Sequence, residues 1–384
     1  PAVLRSGRPL DAPPKAQREA QHIFERMAAQ LAGAGSAMAQ VARLDQYYPH
    51  AHAVDPYHVA RRHAMDGKVA PSTSIIVGRL LNLDASMDVQ VLAATGASGY
   101  VAERVPARLN APASSGYAPC LRVGDTVFVA GQLARDDTGN IAAQARVPAG
   151  QLWHGTRITL ETRYLFNERL LPALEAAGSA PDLVLKAQVY LSHPDDLPAF
   201  LQTWGELFGS RVPPTTIVPV VHPAFGTLDA TIEVNLIAAH ESARARVRDV
   251  HCPVELLGER MLPACTFDNV LFVAGLMAID AEGLVSEARV HPGAPFFHDS
   301  AHAQMSDILA KAKCIFEAAG SDLTQVVRAL HFHTDLHDFR GAYAAWRPLI
   351  GDTGLPFSAI EVAPQMFVPG ARLVVDLWGW APDR

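Results

Sequence analysis

At 384 residues the chain is long enough for two or three domains with sizeable cores, and 49% apolar with 18% charged residues describes a globular chain rather than a disordered one. A formal charge of −7 and a pI near 6.1 offer no basic field for a phosphate backbone, which argues against nucleic acid as a partner. The apolar run 270–279 is far short of the roughly 20 residues of a spanning helix, no secretory leader pattern opens the chain, and Cys120, Cys252, Cys265 and Cys314 form no disulfide framework, so a cytoplasmic protein with no membrane partner is expected.

Taken in chain order, the first strong element is an apolar-periodic stretch closed by Ala34-Gly35-Ser36, and the same helix ending returns at Ala177-Gly178-Ser179 and Ala319-Gly320-Ser321. The glycines lie 143 and 142 residues apart. A second marker keeps that register: Pro71, Pro214 and Pro356 each precede a strand-like run. Self-similarity at one fixed period is the signature of tandem units, and boundaries of 1–104, 117–240 and 252–384 are expected, with linkers at 105–115 and 244–248. The middle copy spells out the unit. Short β-branched runs at 121–123 and 127–133 flank Gly124-Asp125 as a hairpin. An apolar stripe of period near 3.6 over 159–177 predicts a long helix capped at Gly178. A strand at 184–191, a helix at 197–208 and closing strands at 216–220 and 230–239 complete a ββαβαββ order, an α+β sheet with helices on one face. Val127-Phe128-Val129-Ala130-Gly131 returns as Leu271-Phe272-Val273-Ala274-Gly275, but projected one period back it falls before residue 1. The first copy is therefore expected to lack its opening hairpin or to have it upstream, leaving a strand edge for another segment or subunit to fill.

The chain resembles the YjgF/UK114/RidA superfamily in Phe128-Val129-Ala130-Gly131-Gln132, Ala176-Ala177-Gly178-Ser179, the strand from Leu185 to Leu191 and the Pro213-Pro214-Thr215-Thr216 run, and the likeness covers nearly the whole chain three times over. The resemblance implies a pseudo-trimer with sheets inside, helices outside and small-molecule clefts between adjacent units, either as a monomer or as a homo-oligomer of it. It also implies hydrolysis of enamines and imines to ketones and ammonia, with no metal or organic cofactor. The arginine with which that family holds a substrate carboxylate has no counterpart here: its position carries Ser72, Thr215 and Phe357. A typical arginine-dependent 2-iminoacid deaminase is therefore not expected, and a small neutral or weakly acidic nitrogen compound, cyclic and aromatic ones included, is the expected substrate.

The family's final-strand carboxylate corresponds to Asp88, Glu233 and Val374, and its pocket tyrosine to Tyr117 in the second copy but Met261 in the third. Glu233 is the candidate to activate a water, Tyr117 to hydrogen-bond a substrate oxygen, and His58, in Asp55-Pro56-Tyr57-His58, to act as a titrating acid or base. Thr215 and Ser72 are candidates for binding a neutral polar substrate. His331 and His333, two apart on a strand and so on one face, are candidates for a polar wall. The competing reading is a catalytically silent small-molecule binder or scaffold, because every copy has lost the arginine. Distant relatives of the fold add a lyase or ring-opening amidohydrolase as a further alternative.

Overall fold

The computed structural model describes residues 12–106, 109, 115–151, 155–293, 298–351 and 354–382. Most of the 105–115 linker lies outside that set. The first unit runs α1 (Lys15–Gly33), β1 (Val41–Tyr48), α2 (Val54–Ala64), β2 (Ser72–Ile76), β3 (Arg79–Leu80) and β4 (Asp88–Ala93), followed by a short β5 (Ala102–Arg104). The second has the hairpin β6 (Cys120–Val123) and β7 (Thr126–Gln132), then α3 (Arg157–Leu165), a π-helical turn at Phe166–Leu170 and α4 (Leu171–Ala176) in place of one uninterrupted helix. It closes with β8 (Val184–Leu191), α5 (Leu197–Phe208), β9 (Thr215–Pro219) and β10 (Ile232–Ala239). After β11 (Arg248–Val250), the third unit repeats the plan as β12 (Ala264–Phe267), β13 (Val270–Val273), the small ribbon β14 (Ile279–Asp280) and β15 (Gly283–Leu284), α6 (Ser300–Ala318), β16 (Val326–His333), α7 (Phe339–Ile350), β17 (Phe357–Glu361) and β18 (Leu373–Trp380).

Strand order is β6-β7-β10-β8-β9 in the second unit and β12-β13-β18-β16-β17 in the third, while the first keeps β4-β1-β2 alone. Among the described residues no strand pairs with the outer edge of β4, the place the hairpin takes in the other two units. Three pairings were not expected from the sequence. The 244–248 linker folds as a 3-10 turn and then β11, which lengthens the third sheet, and β5 lengthens the second in the same way. In addition, β3 of the first unit pairs with β17 of the third.

Both sequence markers have a local cause. Gly35, Gly178 and Gly320 are left-handed at φ 70°, 70° and 77°, a conformation that costs glycine least. They let the following serine N–H bond back to Leu31, Leu174 and Phe316, each at 2.8 Å, as a Schellman cap. The hydroxyls of Ser36, Ser179 and Ser321 then donate to carbonyls of Ala94, Ala239 and Trp380, at or just beyond the ends of the last strands, and so fix each helix end to its sheet. Pro71, Pro214 and Pro356 offer their carbonyls to Leu44, Ala187 and Ala329, each at 3.0 Å, and so start the three parallel ladders.

The units meet on equivalent residues. Tyr47, Tyr190 and Phe332 occupy matching positions, are wholly buried and lie against one another, with ring centroids 5.9 to 6.5 Å apart. The Tyr47 and Tyr190 hydroxyls bond at 2.8 Å. Around them the matching basic residues Arg43, Lys186 and Arg328 are buried and paired, Arg43 and Arg328 on Asp45 at 2.7 and 2.8 Å and Lys186 on Asp376 at 3.3 Å. Breaking such a pair on one side leaves a buried group without a partner. Tyr47→Phe alone should therefore cost about 1–3 kcal/mol by orphaning the Tyr190 hydroxyl, and the Tyr47→Phe/Tyr190→Phe double variant should recover much of it. Urea denaturation of the four proteins checks this; a double variant as unstable as the sum of the singles would rule it out.

Candidate active site

A cavity of about 340 Å³ opens where the first and second units meet, a volume suited to one small molecule. Its first-unit wall comes from α2, which presents His58, and from β2, whose alternation puts Ser72, Ser74 and Ile76 on one face. The second-unit wall holds Tyr117, placed by a parallel bridge to Val69, together with Gly131, Leu133 and Arg135, and with Glu233 from β10. The loop after β9 crosses between the units, its Ala224 carbonyl accepting from the Ile76 N–H at 2.9 Å, and Phe225 closes one side.

Glu233 is 5% exposed, and burial pushes its carboxyl up to about 8, against the opposing pull of Arg135. At neutral pH it is mostly protonated, a donor rather than a standing base. Its carboxyl also explains Gly131: a Cβ there would stand 2.0 Å from Glu233 Oε1. Gly131→Ala should therefore displace the carboxyl, the movable end of a side chain, and lower turnover at least roughly tenfold while the melting temperature stays close to wild type. A variant with full turnover would show that the carboxyl position does not matter.

Arg135 donates from Nη2 to the Tyr117 hydroxyl at 2.8 Å, so the two side chains form one polar wall. Arg61 is wholly buried behind Ser72, donating to Ser72 Oγ at 3.0 Å, to Gln46 Oε1 at 3.1 Å and to the Ser115 carbonyl at 2.8 Å. His58 departs from the sequence expectation of a titrating group: burial, with Arg61 and Arg62 nearby, takes it down to about 3, so it is neutral at physiological pH. Neither of its ring nitrogens has a protein partner among the described residues.

Of the residues singled out in the sequence, His58, Ser72, Tyr117 and Glu233 come together in this cavity, and Thr215, His331 and His333 do not. Thr215 is buried at the second-to-third unit contact, donating to the Pro213 carbonyl at 2.8 Å and accepting from Trp204 Nε1 at 3.3 Å. That contact has turned apolar, with Leu201, Met261, Ile279 and Val374 where the first cavity has His58, Tyr117, Arg135 and Glu233. His331 and His333 lie in the layer between β16 and α7, where His331 packs edge-on to Trp346 and Phe357 at 4.6 and 4.7 Å and His333 packs on Phe339. Their slots in the second unit are the core residues Val189 and Leu191. At the third contact Asp88 accepts from Ser358 Oγ at 2.7 Å and is raised by burial, but among the described residues no hairpin wall faces it. Sequence reasoning missed Arg135. Its signal was the two-residue alternation Gly131, Leu133, Arg135, which carries one face past the end of the strand.

Among the described residues no helix is long and apolar enough to cross a membrane, and no group of three or more His, Cys, Asp or Glu side chains is arranged to hold a metal ion. The family model described as Endoribonuclease L-PSP matches residues 108–240 and 260–373. A RutC family protein of Pyrococcus horikoshii is 31% identical over 134 residues, 34% of this chain and 94% of that protein. Among solved structures, RidA from the Antarctic bacterium Psychrobacter sp. is similar at 20% identity over 35% of this chain and 98% of its own, with a TM-score of 0.28. A YjgF/YER057c/UK114 family member from Mycobacterium tuberculosis is similar at 19% identity, 35% and 99% coverage, and a TM-score of 0.28.

Proposed function

The chain belongs to the Endoribonuclease L-PSP family, the YjgF/RidA group, and from that premise we propose that it is a Rid-like hydrolase or deaminase of a small nitrogen compound, working in the cavity between its first two units. The reading rests on one observation above the rest: a buried carboxyl, Glu233, held protonated near neutrality beside a Tyr117–Arg135 wall in a cavity the size of a small molecule. A protonated acid suits an imine. Glu233 gives its proton to the imine nitrogen, and the carboxylate it becomes takes a proton from water as the water oxygen bonds to the carbon. The carbinolamine then collapses, its nitrogen leaving as ammonia once protonated and its hydroxyl proton returning through the same carboxyl, so that imine plus water gives ketone plus ammonia with nothing left over. Tyr117 and neutral His58 orient the water and the substrate by hydrogen bonds, and Ser72 and Ser74 line the opposite wall.

We place the three units round a pseudo-threefold axis through Tyr47, Tyr190 and Phe332, with boundaries near 1–104, 117–240 and 252–384. One polypeptide then supplies all three unit contacts, and the apolar lining of the second fits a cleft given up once the copies diverged. A polynucleotide fits this reading poorly, because the cavity admits about one small molecule and the chain carries a charge of −7. The test is ammonia release by the purified protein from a panel of imines, enamines and cyclic amides. Turnover abolished by Glu233→Gln supports the reading. If the protein binds panel members yet releases no ammonia from any, it is a binder instead.

A further inference from the structure

Among the described residues the outer edge of β4 has no partner, yet it is not built as a free edge. Asp88-Val89-Gln90-Val91-Leu92-Ala93 has a single charge, at its end, and neither the lysine nor the proline that keeps open edges from pairing. The helix above it keeps a face that the other units turn to their hairpins. Arg169 of the second unit donates to Gln132 at the end of β7, and Lys311 of the third donates to the Met277 carbonyl at 2.8 Å and to that of Ile279, beyond the end of β13. The matching residue of α1 is Arg26, exposed and without a hydrogen-bond or ion-pair partner among the described residues. Leu31 of α1 is half-buried where Leu174 and Phe316 are wholly buried. The third unit contact lacks the same piece. Gln90 and Asp88 meet Ser358 Oγ at 2.9 and 2.7 Å, as Asn235 meets Thr73 Oγ1 at 2.9 Å at the first contact. There Gly131 packs against Glu233 and Thr73, and among the described residues no glycine packs against Asp88 and Ser358 in that way.

We propose that residues 3–8 of this same chain, which lie outside the described set, are the missing strand: they pair antiparallel with β4 and set Gly7 against Asp88 and Ser358. Val3-Leu4-Arg5-Ser6-Gly7-Arg8 aligns with β7, Val3 and Leu4 on Val127 and Phe128 and Ser6-Gly7 on Ala130-Gly131. A fixed period does not find it, because Gly7 precedes Gly35 by 28 residues where Gly131 precedes Gly178 by 47. Direction and reach agree. β7 runs antiparallel to β10 and ends beside Val234, so a strand laid on β4 in the same way ends beside Val89. That is where α1 starts, with Glu19 accepting from the Ser86 N–H at 2.9 Å and Lys15 donating to the Asp84 carbonyl. The six residues from Pro9 to Pro14 span up to about 20 Å, enough to climb from the sheet to the helix on it. Charge agrees as well: Arg135 stands close enough to Arg169 to act on it electrostatically, and the matching pair is Asp11 and Arg26, of opposite sign. Arg5 takes the place of Val129, and the helix is polar to match, because Cys120, opposite Val129, reaches the Ala173 carbonyl and the counterpart of Ala173 in α1 is the exposed Gln30. A second copy fits poorly, since its β4 would bring a second α1 into the space the first already covers. The inference is independent of the hydrolase reading.

The experiment is amide hydrogen exchange of the full chain, read by mass spectrometry over residues 88–94. The outward amides of β4 should exchange at least roughly tenfold more slowly in the wild type than in Leu4→Asp, which puts a charge at the Phe128 position, or in Gly7→Val, which puts a branched side chain against Asp88. Exchange in β8 and β16 should be alike in all three proteins, which tells a local effect from a general loss of stability. A second measurement does not depend on those variants. Leu4 and Leu92 correspond to the facing pair Phe128 and Ile237, so Leu4→Cys/Leu92→Cys should close an intramolecular disulfide with glutathione disulfide as oxidant, and Arg8→Cys/Leu92→Cys, three residues out of register, should not. Outward amides that exchange freely in the wild type, or protection that survives both substitutions, overturns the assignment. Protection that rises with protein concentration, or a disulfide that joins two molecules, gives the edge to a second copy and overturns it as well.

Discussion

Glu233→Gln is expected to lower turnover by about 10²- to 10⁴-fold, the range for loss of a positioned acid or base, and at the same time to make the protein more stable. The two effects have one cause. In the folded chain burial raises this carboxyl to about 8 from an ordinary 4.5. In the unfolded chain it ionises as the pH passes 4.5. The contribution of the group to stability is therefore fully present below 4.5 and is lost as the pH rises through about 8. At pH 7 that loss amounts to about 3 kcal/mol. Glutamine has nearly the same shape, still fits against Gly131, and never ionises, so the variant escapes the loss. Denaturation at pH 5 and pH 8 should show the stabilisation growing with pH, while the wild-type rate should fall above about pH 8 as the acid form disappears. A variant that is inactive and also destabilised at both pH values would mean that Glu233 is a structural group and that the mechanism is wrong. Stability gained together with activity lost is the expected mark of a strained functional residue.

The repeat was legible in the sequence through two markers: a left-handed glycine, which ends each long helix at less cost than another residue would, and a proline that stands at the start of each parallel ladder. Three of the candidate residues came from the family resemblance, which matches Glu233 and Tyr117 to its carboxylate and tyrosine and Ser72 to its arginine position, and the cavity holds all three together with His58. Arg135 was less visible. It lies beyond the end of β7, in the turn Arg135-Asp136-Asp137-Thr138-Gly139, and its role depends on a unit contact that no local pattern encodes. Thr215 occupies the same register position as Ser72, yet it lines no cavity: it is buried on Trp204 and the Pro213 carbonyl, and the space left at this contact is lined by Leu201, Trp204, Val212 and Met261 instead. Register tells where a side chain points, but whether space lies there is decided by the neighbouring unit.

The histidine pair shows the same limit and carries the last expected result. His331 and His333 stand in the core slots held by Val189 and Leu191 in the second unit, wholly buried against Trp346, Phe357 and Phe339, and none of their four ring nitrogens has a protein partner among the described residues. Burial, reinforced by His333, holds His331 well below the ordinary 6.5; burial takes His333 to about 4, although Asp335 and Glu361 pull it the other way. Both rings are therefore neutral in the folded protein, whereas the unfolded chain protonates them as the pH falls below 6.5. Their contribution to stability is present above 6.5 and is lost as the pH drops toward 4. For His333 alone the loss at pH 5 is roughly 2 kcal/mol. Total stability is a poor readout, because Glu233 titrates in the opposite sense over much of the same range. The comparison that isolates the histidines is wild type against His331→Val/His333→Leu, the residues of the second unit, by urea denaturation at pH 7.5 and pH 5. The advantage of the variant should grow by about 2 kcal/mol or more on acidification. An advantage that is the same at both pH values would mean that water or a compensating contact reaches these rings and that they are not the dry, neutral pair described above.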